Sequence, residues 1–433
     1  MRVSVQGLWH LGCVTAACVA EHFPTSAYDP DPQRVAELTK GKAPIFEPEL
    51  SEQIQRGLTV QKLRFSQDLV ESIQDADVVW VTYDTPVDDR DVADTEYVAR
   101  EVTRLFPHLR DGTVVLVSSQ VPVGFTARIE QAFRSSYPRV DVGFACSPEN
   151  LRLGRAMEAF RHPGRVVLGI RRTADRSTLS RLFAPFCEQL EWMSAESAEM
   201  TKHALNSFLA TSVAFANEIA SLCEKVGADA KEVERGLKSD VRVGSRAYLG
   251  PGGPFAGGTL GRDVGLLVQL GDSRKLSIPL IRGVRQSNDE HKSWLRHKVT
   301  ELLGGLAGRT MAVLGLTYKP ETDTLRRSEA IEFCRWASQG GATIQAYDPV
   351  VKHLPAGLAE IIQLRPSVAE ALQRADAMIV ATEWKQFREI AVADILAQMR
   401  TPIVIDGSRF LGSCLASDRR IRYAAVGLQA RGE

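Results

Sequence analysis

The sequence predicts an α/β fold, with one sheet-based unit at each end of the chain and a long helix between them. Three observations carry this expectation. Short runs of Val, Ile and Leu alternate with helix-like stretches over roughly the first 190 residues, the signature of strands separated by crossover helices. The same alternation returns after residue 310. Between the two, residues 194–226 place apolar side chains mostly at three- and four-residue steps.

In the first unit, Val3-Ser4-Val5, Val78-Val79-Trp80-Val81, Val114-Val115-Leu116-Val117 and Val166-Val167-Leu168-Gly169 read as parallel strands buried on both faces. The later series runs from Met311-Ala312-Val313-Leu314-Gly315, through Met378-Ile379-Val380, to Ile403-Val404-Ile405-Asp406. The helical stretch carries Met200, Leu205, Phe208, Leu209, Val213, Ala216, Ile219, Leu222 and Val226 on its apolar side, with Ser194 as N-cap and Gly227 as stop. At 1.5 Å per residue it is about 45–50 Å long, more than one domain needs. It is expected to bridge the end units and to carry a dimer interface. A second helical stretch, Ile278 to Leu303, leads into the last unit.

Composition excludes several classes. The 433 residues are 44% hydrophobic, 24% charged and 7% aromatic, an ordinary globular balance. Lys plus Arg and Asp plus Glu are both 53, so there is no basic surplus for nucleic acid or anionic lipid. No apolar run approaches the ~18 residues of a membrane span. Met1 to Val5 enters a strand-like run without a signal-peptide pattern. The seven cysteines are scattered and never spaced C-x-x-C, which argues for free thiols, no metal centre and a cytoplasmic location.

Five stretches carry chemistry. Gly7-Leu8-Trp9-His10-Leu11-Gly12 follows the first strand and matches a dinucleotide-binding G-x-G-x-x-G at its first and third glycines. Trp9 stands at the second, where a side chain obstructs close approach of a pyrophosphate. Asp29 lies about twenty residues on, placed to accept from a ribose 2′-hydroxyl and so to favour NAD over NADP, with Arg34 nearby. Ser118 to Thr126 and Cys146 to Gly154 are strand ends, where open parallel sheets bind ligands; Glu149 lies in the second. Lys202 and Asn206, four apart on the long helix, share a face and can stabilise an oxyanion. Tyr248 to Asp263 holds six glycines, a backbone able to wrap a ligand, and closes on Arg262, suited to a phosphate, and Asp263, suited to a proton relay.

Together these stretches resemble the UDP-glucose/GDP-mannose dehydrogenase family, over nearly the whole chain and in family order. The family's S-T-V-P-V-G is similar to Ser119-Gln120-Val121-Pro122-Val123-Gly124, and its N-P-E-F-L-R-E-G to Ser147 through Gly154. Its K-x-x-x-N is Lys202 and Asn206, its F-K-P-x-T-D-D-x-R resembles Tyr318 to Arg326, and its A-T-E-W is Ala381 to Trp384. The resemblance implies two Rossmann-like, doubly wound domains joined by a long central helix and a helical dimerisation domain. The expected boundaries are 1–193 for NAD, 194–304 for dimerisation and 305–433 for the nucleotide sugar. The implied cofactor contacts are Gly7, Trp9, Leu11, Gly12, Asp29, Arg34, Gln120 and Arg326. The implied sugar-nucleotide contacts are Leu151, Arg152, Tyr248, Phe255, Gly257, Arg262, Lys319 and Arg409, with Arg242 reaching across a homodimer interface to the partner's site.

Family members oxidise a sugar C6 alcohol twice, through an aldehyde and a cysteine thioester. Their F-G-G-S-C-[LF]-P-K-D loop lies without a gap on Phe255 to Asp263, which puts Thr259 in place of the nucleophilic cysteine. A hydroxyl needs a dedicated base where a thiol is already partly ionised. Leu153 replaces the second glutamate of the P-E-F-L-R-E motif, Gln120 the threonine of S-T-V-P, and Ser408 the arginine of D-G-R, with Arg409 one place on. Glu149, Lys202, Asn206 and Asp263 are retained. The expectation is an NAD-linked oxidoreductase acting on a UDP- or GDP-sugar CH–OH without completing the uronic acid. Two other readings stay open: a redox-neutral epimerase and a catalytically silent nucleotide-sugar-binding protein.

Overall fold

The computed structural model describes residues 1–86, 94–148, 151–255, 257–326 and 328–431. Its contacts divide the chain into two compact units, Met1–Leu205 and Asn206–Glu433.

Among the described residues the first unit holds eight strands: β1 Val3–Gln6, β2 Thr25–Tyr28, β3 Leu63–Ser66, β4 Val78–Val81, β5 Val114–Val117, β6 Gly143–Cys146, β7 Val166–Ile170 and β8 Leu190–Ser194. They lie in the order β3-β2-β1-β4-β5-β6-β7-β8. The strand order reverses between β1 and β4, where an open α/β sheet leaves its binding crevice. β1, β4, β5 and β6 are buried at every residue; for β4 and β5 this is what the Val-rich runs imply of strands covered on both faces. The Val166–Gly169 run is a strand that is parallel on one side only: β7 pairs parallel with β8 but antiparallel with β6, so the chain reverses direction between β6 and β7. Its end residues are only partly buried, and periodicity alone carries no information on strand direction.

The helices that position the site in this unit are α1 His10–Val19, α2 Pro32–Thr39, α3 Phe125–Ser136 and α4 Ala156–Arg161. The long helix, α5, runs Ala195–Val226 over 32 residues, about 48 Å. Ser194 begins it as expected, its Oγ accepting from the Ser197 amide at 3.2 Å, and Gly227 follows at φ +75°.

The second unit continues with α6 Ala230–Ser239, a π-helical turn at Gly257–Gly261, α7 Arg262–Ser273, α8 Pro279–His291 and α9 Trp294–Leu303. The helical stretch expected from Ile278 to Leu303 is thus two helices. The break turns Trp294 inward, where its indole Nε1–H donates to Glu224 Oε1 at 2.8 Å. Glu224 Oε2 meets Lys298 Nζ at 3.0 Å in a buried pair that joins α9 to α5.

Seven described strands complete the unit: β9 Thr310–Leu314, β10 Thr343–Tyr347, β11 Ile362–Leu364, β12 Ala377–Val380, β13 Ile403–Asp406, β14 Arg422–Ala425 and β15 Leu428–Arg431. Their order is β11-β10-β9-β12-β13-β14-β15, parallel except for β15. This sheet repeats the first unit's plan down to its first turn. Gly315 follows β9 at φ +88° as Gly7 follows β1 at φ +96°. Asp348 follows β10 and accepts from the Leu316 amide at 2.7 Å, as Asp29 follows β2 and accepts from Leu8 at 2.7 Å. Asp348 also accepts from the amides of Thr317, Val350 and Val351 and from the Trp384 indole, so in the second unit this carboxylate is a loop staple.

Candidate active site

The cofactor turn is built where β1 hands over to α1. A side chain at Gly7 would meet the Tyr83 ring at 2.5 Å, and one at Gly12 would sit 1.7 Å from the Gly7 carbonyl oxygen, so both positions demand glycine. α1 begins without a side-chain cap and without an acidic residue in its first turn, which leaves its positive end available to an anion. Leu11 is buried beneath it. Asp29 is 2% exposed, and its carboxylate accepts from the amides of Leu8 and Asp31 and, at 2.9 Å on each oxygen, from Arg34. The Trp9 indole lies against the Arg34 guanidinium, 5.2 Å from ring centroid to the guanidinium carbon. These features fit a dinucleotide: two obligatory glycines, a free helix end and an acidic residue at the tip of β2.

Glu47, unmarked by any motif, ties this turn to the loop that follows β6. It is 4% exposed; His10 Nε2–H and the Gly154 and Ala156 amides each donate to it at 2.8 Å. Leu151 is half-buried and Arg152 exposed on that loop. Glu149 lies outside the described residues.

A cavity at the tips of β5 and β6 is lined by Ser119, Gln120, Cys146, Pro148, Glu199 and Lys202 among others, which brings three of the sequence stretches together. Glu199 fixes its floor. The Gly124 and Thr126 amides donate to its carboxylate at 2.5 and 2.9 Å, and the Thr126 hydroxyl at 2.6 Å, which caps α3 from α5. Burial pushes the Glu199 carboxyl above the usual range, and those donors oppose it. The Gln120 carbonyl accepts from Thr85 Oγ1 at 2.5 Å. Cys146 is 1% exposed, and burial pushes its thiol up, so it stays protonated.

In the second unit, Asn206 Nδ2 donates to Asp263 Oδ2, and Asp263 is fully buried in the first turn of α7. Thr259 is exposed in the turn that contains Gly257, immediately before Arg262. The glycine-rich loop upstream is clamped by side chains that the sequence did not mark. Asn217 of α5 accepts from the Gly252 amide at 3.0 Å and donates to the Gly253 carbonyl at 3.2 Å. Asn288 of α8 makes the same double contact with Phe255, at 2.8 and 3.0 Å, and His291 donates to the Gly252 carbonyl at 2.8 Å. Burial lowers the His291 pKa, keeping the ring neutral. No sequence signal finds these residues, because their partners are backbone atoms tens of positions away.

Lys319 lies half-buried in the turn after β9, its carbonyl accepting from the Thr317 and Thr322 hydroxyls. Arg326 is exposed, Tyr248 is 57% exposed, and Arg242 is exposed and paired with Asp240 at 2.8 Å. Arg409 stands apart from these: its guanidinium is taken up by Asp229, the N-cap of α6, at 2.5 Å and by the Gly427 carbonyl at 2.7 Å.

Three family models cover the chain in sequence: the UDP-glucose/GDP-mannose dehydrogenase family NAD binding domain on residues 1–187, its central domain on 196–290 and its UDP binding domain on 312–413. The chain is similar to a UDP-glucose 6-dehydrogenase of Pseudomonas aeruginosa, 34% identical over 448 residues with 100% of this chain and 98% of the relative covered. Among solved structures it is similar to a UDP-glucose dehydrogenase from Pyrobaculum islandicum, at TM-score 0.87 and 29% identity with 99% and 98% coverage. A UDP-D-ManNAc dehydrogenase from Pyrococcus horikoshii follows, at TM-score 0.85 and 25% identity with 99% of both chains covered. The glycine turn, the acidic tip of β2 and the paired Asn206 and Asp263 therefore sit in a chain that belongs to the UDP-glucose/GDP-mannose dehydrogenase family, with NAD as its cofactor.

Proposed function

We propose that this chain removes one hydride from a CH–OH carbon of a UDP-linked sugar and stops at the carbonyl. NAD, when bound, accepts the hydride. The C–H electron pair leaves with it, the C–O bond becomes double, and the hydroxyl proton passes to Asp263 or to a water that Asp263 holds. Asn206, bonded to that carboxylate, and Lys202, one turn earlier on the same helix, stabilise the oxygen as it sheds its proton. Arg262 and Lys319 meet the phosphates. The UDP binding domain match supports uracil as the base.

The observation that carries this reading is the loop itself. Residues 248–263 contain no cysteine, and Thr259 occupies the nucleophile's place in an exposed turn. The buried, protonated Cys146 is not a substitute. Without a thiolate no thioester forms, and the second oxidation has no covalent intermediate to work on.

An assembly of two copies is part of this proposal. On α5, Phe208, Phe215, Leu222 and Val226 are 68%, 46%, 61% and 76% exposed, at steps of seven, seven and four, an apolar stripe that a second copy would cover. The seven free thiols support a reducing compartment such as the cytoplasm.

The test is product stoichiometry with NAD and UDP-sugars. The chain is expected to yield at most one NADH per sugar and no uronate, whereas Thr259→Cys gains uronate and approaches two NADH per sugar. Uronate made catalytically by the unaltered chain would refute the reading. Sugar interconversion without NADH accumulation would replace it with a redox-neutral cycle.

A further inference from the structure

Trp9 stands where the dinucleotide turn calls for its second glycine, and the residue is 38% exposed. It lies against Arg34, with the guanidinium carbon 5.2 Å from the ring centroid. Both ends of that contact are fixed points of a dinucleotide site. Trp9 is the N-cap residue of α1, where a pyrophosphate meets the helix end. Arg34 sits on Asp29, the acidic residue that such a site sets against the adenosine ribose. The indole therefore spans the line that the AMP half of the cofactor must follow from ribose to pyrophosphate.

We propose that Trp9 is an affinity-setting residue of the cofactor site, an internal competitor that occupies the AMP path and holds Arg34 until NAD displaces it. The electrostatics agree. Both Asp29 oxygens already accept from Arg34 Nη1 at 2.9 Å, and the Leu8 and Asp31 amides take further lone pairs. A ribose diol reaches this carboxylate only when the guanidinium shifts, and an indole stacked on the guanidinium resists that shift. Displacing the ring costs little packing, because more than a third of the residue already faces solvent. The inference rests on NAD entering the first unit by this turn.

The experiment is equilibrium titration of the full-length chain with NADH, followed by nucleotide fluorescence, for the unaltered protein, Trp9→Ala and Trp9→Phe. Thermal melting of each variant checks the fold. Removing an exposed cation–π partner is expected to tighten NADH binding about two- to five-fold in Trp9→Ala. Trp9→Phe, with a smaller and weaker ring, is expected to fall between the two. Trp9→Ala binding NADH no better than the unaltered chain, or more weakly, would overturn the competitor and make the indole a bystander or a supporting wall. Absence of NADH binding in all three proteins would overturn this inference and the cofactor route together.

Discussion

Glu47 is the sharpest stability test, because one buried carboxylate serves three donors from two segments. In Glu47→Ala the Ala156 amide, fully buried at the start of α4, loses its acceptor. Stranding that buried donor, which is the same event as losing the cap on α4, costs about 1–3 kcal/mol. Gly154 is exposed and His10 partly so, and water replaces the carboxylate for both. The expected loss is therefore about 1–3 kcal/mol. Glu47→Gln keeps one carbonyl oxygen for Ala156 and should lose about 1 kcal/mol. The assay is urea unfolding, paired with hydrogen exchange on a peptide spanning residues 151–161. Faster exchange there in Glu47→Ala, with Glu47→Gln close to the unaltered chain, is the expected result. Equal exchange in all three proteins, or equal losses from Ala and Gln, would refute the capping argument.

Two further outcomes follow from the second unit. Burial opposes ionisation of Asp229, but the Arg409 bond and the Lys231 amide prevail and hold its carboxyl below the ordinary value. The folded chain then binds fewer protons there than the unfolded one, so the stability from this group is whole above about pH 4 and is lost as pH falls through the lowered value. Urea midpoints between pH 3 and 6 should therefore fall less steeply toward acid in Asp229→Asn; parallel profiles would exclude the pair as a source of acid sensitivity. On α5, Phe215→Asp is expected to shift the chain to a monomer in sedimentation at micromolar concentration without lowering its melting temperature. An unchanged sedimentation coefficient would show that the stripe is not the interface.

Much of this protein is written locally. Val78 to Val81 and Val114 to Val117 read as strands because short unbroken runs rich in β-branched and aliphatic residues suit a sheet covered on both faces. The helix Ala195–Val226 shows in its three- and four-residue apolar steps, and its ends in Ser194 and Gly227. Gly7, Gly12 and Asp29 are legible because a nucleotide turn constrains residue type at fixed spacing, and Thr259 because the motif lies on residues 255–263 without a gap and so assigns it the cysteine's place. The direction of β7, the break before Trp294, the Glu47 and Glu199 caps and the Asn217, Asn288 and His291 clamp were decided only by the tertiary structure. In the caps and the clamp a polar side chain satisfies backbone groups far along the chain, and no period or spacing encodes which backbone group it will meet. Arg409 shows the same limit from the other side: its type fits a phosphate, yet the fold set Asp229 and the Gly427 carbonyl within its reach, and a half-buried cation goes to the acceptors that lie beside it.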